Sequence, residues 1–320
     1  MASETSEQTE NETRITDVAI VGAGPAGMTA ALYVARAGYR ATVLEAYVPG
    51  GQLTTIDELE NYPGFFGGVN GFDIASSMQK QAERFGVQFM YAQAKSLERY
   101  SDRNLFEITT NDEPLWARSV IIASGAKPLK LPQIDSDKLE GKGLSYCATC
   151  DGNFYRGKDV MIVGGGDSAI TEAIYLSRIC RKVYLVHRRE DFRAHFWVVE
   201  RVKHLPNVEI FWNNEVQNVI TNDSERIEAV TVRNSKTGEE HTLEVEGLFI
   251  AIGAKPESEW AKDAVELDKF GYVKSHDECH TSLKGVFVAG DVRTTPLRQV
   301  VTATADGALA AEAAVAYLSE

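Results

Sequence analysis

The sequence predicts an α/β fold built from two similar strand, helix, strand units, with the second unit inserted into the first. A run D-V-A-I-V-G-A-G-P-A-G begins at Asp17, and a run D-V-M-I-V-G-G-G-D-S-A begins at Asp159, 142 residues later. In both, a short β-favouring segment leads into glycines, a helical stretch and a second strand. An apolar segment ending at Gly290 and Asp291 follows the second unit. We therefore expect the C-terminal part of the chain to complete the first unit.

Composition and charge limit the function. At 320 residues the chain is long enough for two domains. Its formal net charge of −13 disfavours non-specific binding to nucleic acid. Residues 1–14 are acidic and poor in apolar residues, so they are predicted to form a disordered leader. They match neither an export signal nor a transit peptide, and no membrane span is expected, so we expect a cytoplasmic protein.

The first unit has the features of a dinucleotide-binding turn. Side chains at Gly22, Gly24 and Gly27 would obstruct the tight turn, the approach of a pyrophosphate to the backbone, or the packing of helix on strand. The phosphates would then rest on the helix N-terminus. Glu45 ends the second strand 23 residues after Gly22, where a carboxylate can accept hydrogen bonds from ribose hydroxyls. This unit therefore favours a nucleotide with free ribose hydroxyls.

The second unit repeats this pattern with one change of charge. The three glycines correspond to Gly164, Gly166 and Ala169, and Glu45 corresponds to His187. Losing the acid removes a charge that would repel a 2′-phosphate. The neighbouring Arg188, Arg189 and Arg193 supply planar, permanently charged donors that suit phosphate. We therefore expect the second unit to bind NADPH in preference to NADH.

A C-A-T-C pair, Cys147 and Cys150, lies between the two fingerprints and is followed at once by Asp151. Cysteines at this spacing can close a small disulfide ring and be cycled between oxidised and reduced forms. Cys180 and Cys279 stand alone and are predicted to be small buried hydrophobic residues. Because no side chain converts a hydride into disulfide cleavage, the pair requires a flavin, and FAD is the candidate for the first unit.

The order of these features resembles the low-molecular-weight thioredoxin reductases of bacteria and archaea, which are flavin-dependent disulfide reductases. The resemblance includes C-A-T-C-D, both fingerprints, H-R-R-x-x-F-R-A from His187 and the terminal G-D. It implies an enzyme that passes electrons from NADPH through FAD and the cysteine pair to oxidised thioredoxin or a thioredoxin-like protein. It also implies that Cys150 receives the electrons, that Cys147 attacks the substrate disulfide and that Asp151 transfers protons. A homodimer is implied by the same likeness.

The resemblance also extends the two cofactor sites, with no metal expected in either. The residues expected to line the FAD site are Gly22, Gly24, Pro25, Ala26, Gly27, Glu45, Gly51, Gln52, Leu53, Asn61, Gly125, Gly290, Asp291, Arg298, Gln299 and Val300. Those expected to line the NADPH site are Gly164, Gly166, Asp167, Ser168, Ala169, His187, Arg188, Arg189 and Arg193.

The expected architecture is two Rossmann-like, three-layer ββα domains. The FAD domain is discontinuous, over residues 15–126 and 255–320. The NADPH domain, over residues 127–254, is inserted into it and carries the cysteine pair.

Three other functions remain open at this point. An NAD(P)H-dependent flavoprotein reductase with the same chemistry could serve a peroxiredoxin-type or glutaredoxin-like partner. The cysteines could hold structural zinc, although tetrahedral zinc needs four ligands and no second C-x-x-C or C-x-x-H occurs. A redox sensor could bind a flavin without turning over.

Overall fold

The computed structural model describes residues 15–56, 58–277 and 279–320, so the predicted acidic leader lies outside the described residues. The chain forms two compact units. The first ends its N-terminal part at Lys127 and resumes over Lys255–Glu320, and the second is Pro128–Ala254. Two short strands, β7 and β16 below, pair with each other where the chain passes between the units.

The structure contains strands and helices in the alternation that the two fingerprints predict. The strands are β1 (Ile15–Val21), β2 (Ala41–Glu45), β3 (Gln88–Tyr91), β4 (Ala94–Tyr100), β5 (Leu105–Thr110), β6 (Leu115–Ile122), β7 (Ala126–Pro128), β8 (Leu144–Ser145), β9 (Asp159–Gly164), β10 (Lys182–His187), β11 (Val208–Trp212), β12 (Asn214–Thr221), β13 (Ile227–Asn234), β14 (Glu240–Glu244), β15 (Gly247–Ala251), β16 (Ala254–Pro256) and β17 (Val286–Val288). The α-helices are α1 (Pro25–Arg36), α2 (Gly71–Arg84), α3 (Ser136–Leu139), α4 (Ala148–Asp151), α5 (Asp167–Leu176), α6 (Phe196–Lys203) and α7 (Val300–Ser319). Short 3-10 turns cover Gly51–Thr55, Gly152–Tyr155, Glu259–Ala261 and Gly290–Val292.

A mixed sheet of order β3-β2-β1-β6-β5-β4 forms the centre of the first unit, and β17 lies beside β6. Strands β3, β2, β1, β6 and β17 pair in parallel, whereas β5 pairs antiparallel with both β6 and β4. Along β1, Val18 and Ile20 belong to one apolar cluster, and Ala19 and Val21 belong to another. Both faces of this strand are buried, which explains its continuous apolar run.

The C-terminal helix α7 packs directly on α1. A Cβ atom added at Gly307 would lie 2.2 Å from the carbonyl oxygen of Ala26, so the two backbones meet with no room for a larger residue. Helix α1 begins at Pro25, whose missing N–H costs nothing at a first helical position. The N-terminal glycine turn and the end of the chain thus share one apolar cluster.

The second unit has a fully parallel sheet of order β11-β10-β9-β15-β8 and a separate antiparallel sheet of order β12-β13-β14. The buried strand β9 leads through the second glycine turn into α5, as β1 leads into α1. None of the helices in the described ranges combines the length and apolar character that a membrane span requires.

Candidate active site

The cysteine pair lies in the second unit, at the start of the short helix α4. Cys147 and Cys150 form a disulfide with their Cα atoms 5.3 Å apart. Cys147 precedes the first residue of α4, and its Sγ accepts a hydrogen bond of 3.2 Å from the backbone N–H of Cys150. Both cysteines are half-buried. An N–H donor aimed at this sulfur would stabilise a thiolate on Cys147 when the pair is reduced.

Ser145 connects the pair to Asp151. Its Oγ accepts a hydrogen bond of 3.0 Å from the backbone N–H of Cys147 and donates one of 2.6 Å to Oδ2 of Asp151. Ser145 is 3% exposed and ends β8, which pairs with β15, so its position is set by the sheet. Asp151 is therefore held beside the pair by a hydroxyl that contacts both groups.

The cysteine segment packs on helix α5. A Cβ atom at Gly152 would lie 2.9 Å from the ring of Tyr175, so the segment is seated closely on the helix. On the same helix, Oε2 of Glu172 accepts a long hydrogen bond of 3.4 Å from the backbone N–H of Ala148, between the two cysteines. Burial raises the pKa of Glu172 to about 7, and the N–H of Ala148 opposes this only in part.

This carboxyl makes stability depend on pH. Because the pKa of Glu172 in the folded state lies above the ordinary value of 4.5, the folded state favours the protonated form. Stability from this group is complete below pH 4.5 and is lost as pH rises towards about 7. The side chain of Glu172→Gln cannot ionise, so this variant avoids the loss that wild type suffers as pH rises. The free energy of unfolding of the variant minus that of wild type should therefore be larger at pH 8 than at pH 5, by at most about 3 kcal/mol. Urea-induced unfolding at several pH values measures this difference.

The matched control is Glu244→Gln, which makes the same change at an exposed position on β14 of the same unit. Its difference from wild type should stay constant with pH. If the stability of wild type and of Glu172→Gln changed in the same way with pH, ionisation of Glu172 would not destabilise the folded state.

The first glycine turn is shaped by close backbone approaches. A Cβ atom at Gly27 would lie 1.8 Å from the carbonyl oxygen of Gly22, and one at Gly22, whose φ is +106°, would lie 2.4 Å from the carbonyl oxygen of Ala123. At Gly24, in contrast, a Cβ atom would meet nothing within 4 Å. The middle glycine thus borders open space at the N-terminus of α1, as a phosphate-binding turn requires.

Glu45 closes this turn from the end of β2. Its Oε2 accepts a hydrogen bond of 2.8 Å from the N–H of Ala23, and its Oε1 accepts one of 2.9 Å from the N–H of Tyr47. Both oxygens retain lone pairs for hydroxyl donors. A Cβ atom at Gly51 would lie 3.3 Å from the Cα of Gly24, which places the 3-10 turn of Gly51–Thr55 against the same opening.

The later segments predicted for the FAD site are brought to this turn. A Cβ atom at Gly290 would lie 2.9 Å from the Cβ of Ala26, and the side chain of Asn61 donates a hydrogen bond of 2.9 Å to that of Gln299. Gln52 donates one of 2.8 Å to the carbonyl oxygen of Ala126, next to Gly125. Leu53 is 1% exposed and belongs to the core below.

Asp291 follows Gly290 at the end of β17. Burial raises the pKa of its carboxyl to about 6, and the nearby charge of Arg298 opposes the shift. The guanidinium of Arg298 lies over the ring of Tyr272 at 4.3 Å. A partly buried carboxyl beside an open glycine turn fits a ligand that carries several hydroxyl groups, and the FAD sugar chain is of this kind.

A buried ion pair fixes this segment, and the sequence patterns do not indicate it. Arg293 donates hydrogen bonds of 2.7 and 2.8 Å to the two carboxylate oxygens of Asp306, and the N–H of Gly290 donates one of 3.0 Å to Oδ2. The two side chains are only 17% and 9% exposed. Asp306 on α7 therefore holds the turn that presents Asp291.

The second glycine turn repeats the open middle position. A Cβ atom at Gly166, before the first residue of α5, would meet nothing within 4 Å. At Gly165, a Cβ atom would lie 2.2 Å from the ring of His187, which is 7% exposed. The imidazole thus supports the turn from below. Burial lowers the pKa of His187, and the charges of the three neighbouring arginines lower it further.

Arg188, Arg189 and Arg193 are all exposed. Across residues 15–56, 58–277 and 279–320, none of these arginines forms an ion pair. Ser168 is also exposed, and Ala169 is buried. Exposed guanidinium groups beside an open helix N-terminus fit the phosphates of a dinucleotide.

Two further cysteines lie outside the disulfide. Cys180 and Cys279 are buried and reduced, as predicted. In the part of the chain that the structure describes, no cluster of three or more His, Cys, Asp or Glu side chains is arranged to bind a metal ion.

A sequence profile of the pyridine nucleotide-disulphide oxidoreductases matches residues 16–307. The chain belongs to this family. Among pyridine nucleotide-disulphide oxidoreductases it is similar to the thioredoxin reductase of Treponema pallidum, with 42% identity over 94% of this chain and 97% of that protein. The thioredoxin reductase of Bacillus subtilis is 39% identical over 97% of each chain. The predicted family resemblance is therefore confirmed.

Solved structures agree. The crystal structure of thioredoxin reductase from Streptococcus pyogenes matches with a TM-score of 0.89 and 38% identity, covering 96% of this chain and 99% of that one. This likeness confirms the predicted α/β class with two Rossmann-like units. As a pyridine nucleotide-disulphide oxidoreductase with a disulfide between Cys147 and Cys150, the protein is an enzyme of redox chemistry.

Proposed function

We propose that this protein is an NADPH-dependent thioredoxin-disulfide reductase, with FAD bound at the first glycine turn and NADPH at the second. The observation that carries the proposal is the half-buried disulfide of Cys147 and Cys150, which lies in the same unit as a glycine turn flanked by three exposed arginines. The thioredoxin reductases named above support thioredoxin, or a thioredoxin-like protein, as the substrate.

The two sites differ in charge, which supports the assignment of the cofactors. Glu45 at the first turn suits free ribose hydroxyls, while the arginines at the second suit a 2′-phosphate. When bound, FAD supplies two-electron chemistry between a hydride donor and a disulfide, which side chains lack.

The reduced pair then acts by thiol–disulfide exchange. The Cys147 thiolate attacks one sulfur of the substrate disulfide, forming a mixed disulfide and releasing the other substrate sulfur as a thiolate. Cys150 attacks Cys147, which restores the internal disulfide and releases the substrate as a dithiol. Two electrons pass from the pair to the substrate, and two protons complete the substrate thiols. The N–H of Cys150 favours Cys147 as the first thiolate.

Asp151 is placed to hold and return a proton. Its hydrogen bond to Ser145, which also contacts Cys147, keeps the carboxyl beside the reacting sulfurs. We expect Asp151→Asn to lower kcat for thioredoxin reduction by about 10²-fold, because an amide cannot exchange this proton while it still accepts the Ser145 hydrogen bond. Steady-state NADPH oxidation with thioredoxin measures the loss.

Asp137→Asn provides the control, since the side chain of Asp137 in the same unit is 82% exposed. It should retain the wild-type kcat. An Asp151→Asn enzyme with kcat within about twofold of wild type would remove Asp151 from the proton transfer.

The test of the whole function is an anaerobic NADPH titration of wild type and Cys150→Ser, following flavin absorbance and thiols counted in denaturant. Because one disulfide and two free cysteines are present, the count in wild type should rise from two to four. In Cys150→Ser the flavin should still be reduced while the thiol count stays constant. A protein that remains colourless with added FAD, or a wild-type disulfide that survives excess NADPH, would disprove the proposal.

A further inference from the structure

The loop between β10 and α6, which we call the arginine loop (Arg188–His195), carries all three of the exposed guanidinium groups near the second glycine turn. Phe192 and Ala194 anchor the middle of this loop on the apolar core of the second unit, whereas its exposed charged residues depend on hydrogen bonds for their position. The bonds that hold this loop therefore decide where its cationic groups are presented.

Two residues of the glycine turn and α5 hold the second half of the loop. The N–H of Arg193 donates a hydrogen bond of 2.8 Å to the carbonyl oxygen of Gly165. Two residues further on, His195 donates from both its backbone N–H and its ring Nδ1 to Oδ1 of Asp167, each at 2.8 Å. In the first half, Nε2 of His187 lies 3.0 Å from the carbonyl oxygen of Asp191.

Asp167 places a carboxyl group close to the expected position of a phosphate. It is the first residue of α5, directly after the open glycine, where a phosphate is expected and a carboxylate would repel it. In this chain its Oδ1 is occupied by two donors from His195. The pKa of Asp167 is lowered, first by the backbone N–H of His195 and then by its ring. The carboxylate of Asp167 is thus bound to the arginine loop through its Oδ1.

We propose that Asp167 and His195 form a clamp that holds the arginine loop against the glycine turn and so determines the preference for a 2′-phosphate. Because His195 also precedes the first residue of α6, the same contact fixes where that helix begins. Asp167 and His195 act through Arg193 and its neighbours, so they are positioning residues. The inference rests on the proposed role of the second unit as an NADPH site.

The test measures binding of two probes, 2′,5′-ADP and 5′-ADP, to the oxidised full-length protein by calorimetry. In Asp167→Ala we expect the dissociation constant for 2′,5′-ADP to rise about tenfold, since both hydrogen bonds from His195 are lost. Binding of 5′-ADP, which lacks the 2′-phosphate, should change by less than about twofold. The ratio of the two constants is the readout, because general loosening of the unit would weaken both.

Two further variants separate positioning from folding. Asp167→Asn keeps an oxygen that accepts from the N–H of His195, so it should retain the 2′,5′-ADP affinity to within about threefold. His195→Ala should give an intermediate loss, because it removes the ring donor and keeps the backbone donor. His204→Ala changes another exposed histidine, at the far end of α6, and should leave both constants unaltered.

Equal weakening of both probes in Asp167→Ala, or no weakening of 2′,5′-ADP, would overturn the clamp while leaving the NADPH assignment intact. A wild-type protein that binds neither 2′,5′-ADP nor NADPH would overturn both. If Asp167→Ala unfolds, His195→Ala decides, and an unchanged ratio in that variant counts against the clamp.

Discussion

Cys147→Ser should abolish disulfide reduction and lower kcat by about 10³-fold or more, because a serine hydroxyl cannot replace the thiolate as nucleophile. The variant should lose activity while keeping its fold. Cys147 lies at the start of a short, half-buried helix whose seating depends on Gly152 and Ala148, and neither is altered. Thioredoxin reduction, monitored as the oxidation of NADPH, measures the effect. Far-UV circular dichroism verifies the fold.

The control is Cys180→Ala, which removes a buried thiol of the same unit that takes part in no disulfide. It should retain the wild-type kcat. Trapping assigns the roles within the pair. Cys150→Ser should accumulate a mixed disulfide with thioredoxin through Cys147, whereas Cys147→Ser should not. Retention of more than about 1% of kcat by Cys147→Ser would mean that the pair is not the route to the substrate.

The largest loss of stability is expected from Asp306→Ala. The change removes the carboxylate that accepts from the guanidinium of Arg293 and the N–H of Gly290, in a site where the side chains of the pair are 17% and 9% exposed. Arg293 then keeps the Oγ of Ser275 as an acceptor, at 3.0 Å, but has no opposite charge beside it. Breaking a buried pair from one side costs about 3–5 kcal/mol, so Tm should fall by roughly 10 °C. We also expect weaker FAD retention, because the turn that presents Asp291 loses its anchor. Thermal unfolding and flavin content after gel filtration measure these effects.

Lys284→Ala is the matched control, since Lys284 and Glu320 form an ion pair in the same unit with side chains 67% and 66% exposed. It should leave Tm and flavin content close to those of wild type, because an exposed ion pair adds little to stability. Replacing both buried partners, as Arg293→Met with Asp306→Leu, should recover part of the stability, because only the N–H of Gly290 then lacks an acceptor. An Asp306→Ala protein as stable as Lys284→Ala would show that the buried pair adds nothing to stability.

Features that repeat along the chain were predictable. The two fingerprints, their offset and the charge change from Glu45 to His187 are local patterns, and they placed both glycine turns at the ends of buried strands. The pattern did not reveal that the ring of His187 faces inward under Gly165. Strand alternation alone does not say which residues fill the space below a glycine turn.

Contacts between distant segments left no such signal. Ser145, Glu172 and the pair of Arg293 with Asp306 belong to no motif, and they become functional candidates only when the fold shows which groups they contact. The two copies also differ in detail. Alanine occupies the third glycine position at Ala169, whereas a Cβ atom at Gly27 would meet a backbone oxygen at 1.8 Å. The two glycine turns therefore share the same topology but differ in how their side chains pack.

The pairing of β17 with β6 and of α7 with α1 has a consequence for biosynthesis. The second unit is a single continuous segment, Pro128–Ala254, and everything it needs has been translated before the C-terminal segment exists. The first unit lacks a strand of its sheet and its longest helix until the last 66 residues, Lys255–Glu320, leave the ribosome. We therefore expect the inserted unit to fold first during translation, while the six N-terminal strands of the first sheet remain incomplete until the C-terminal segment is made.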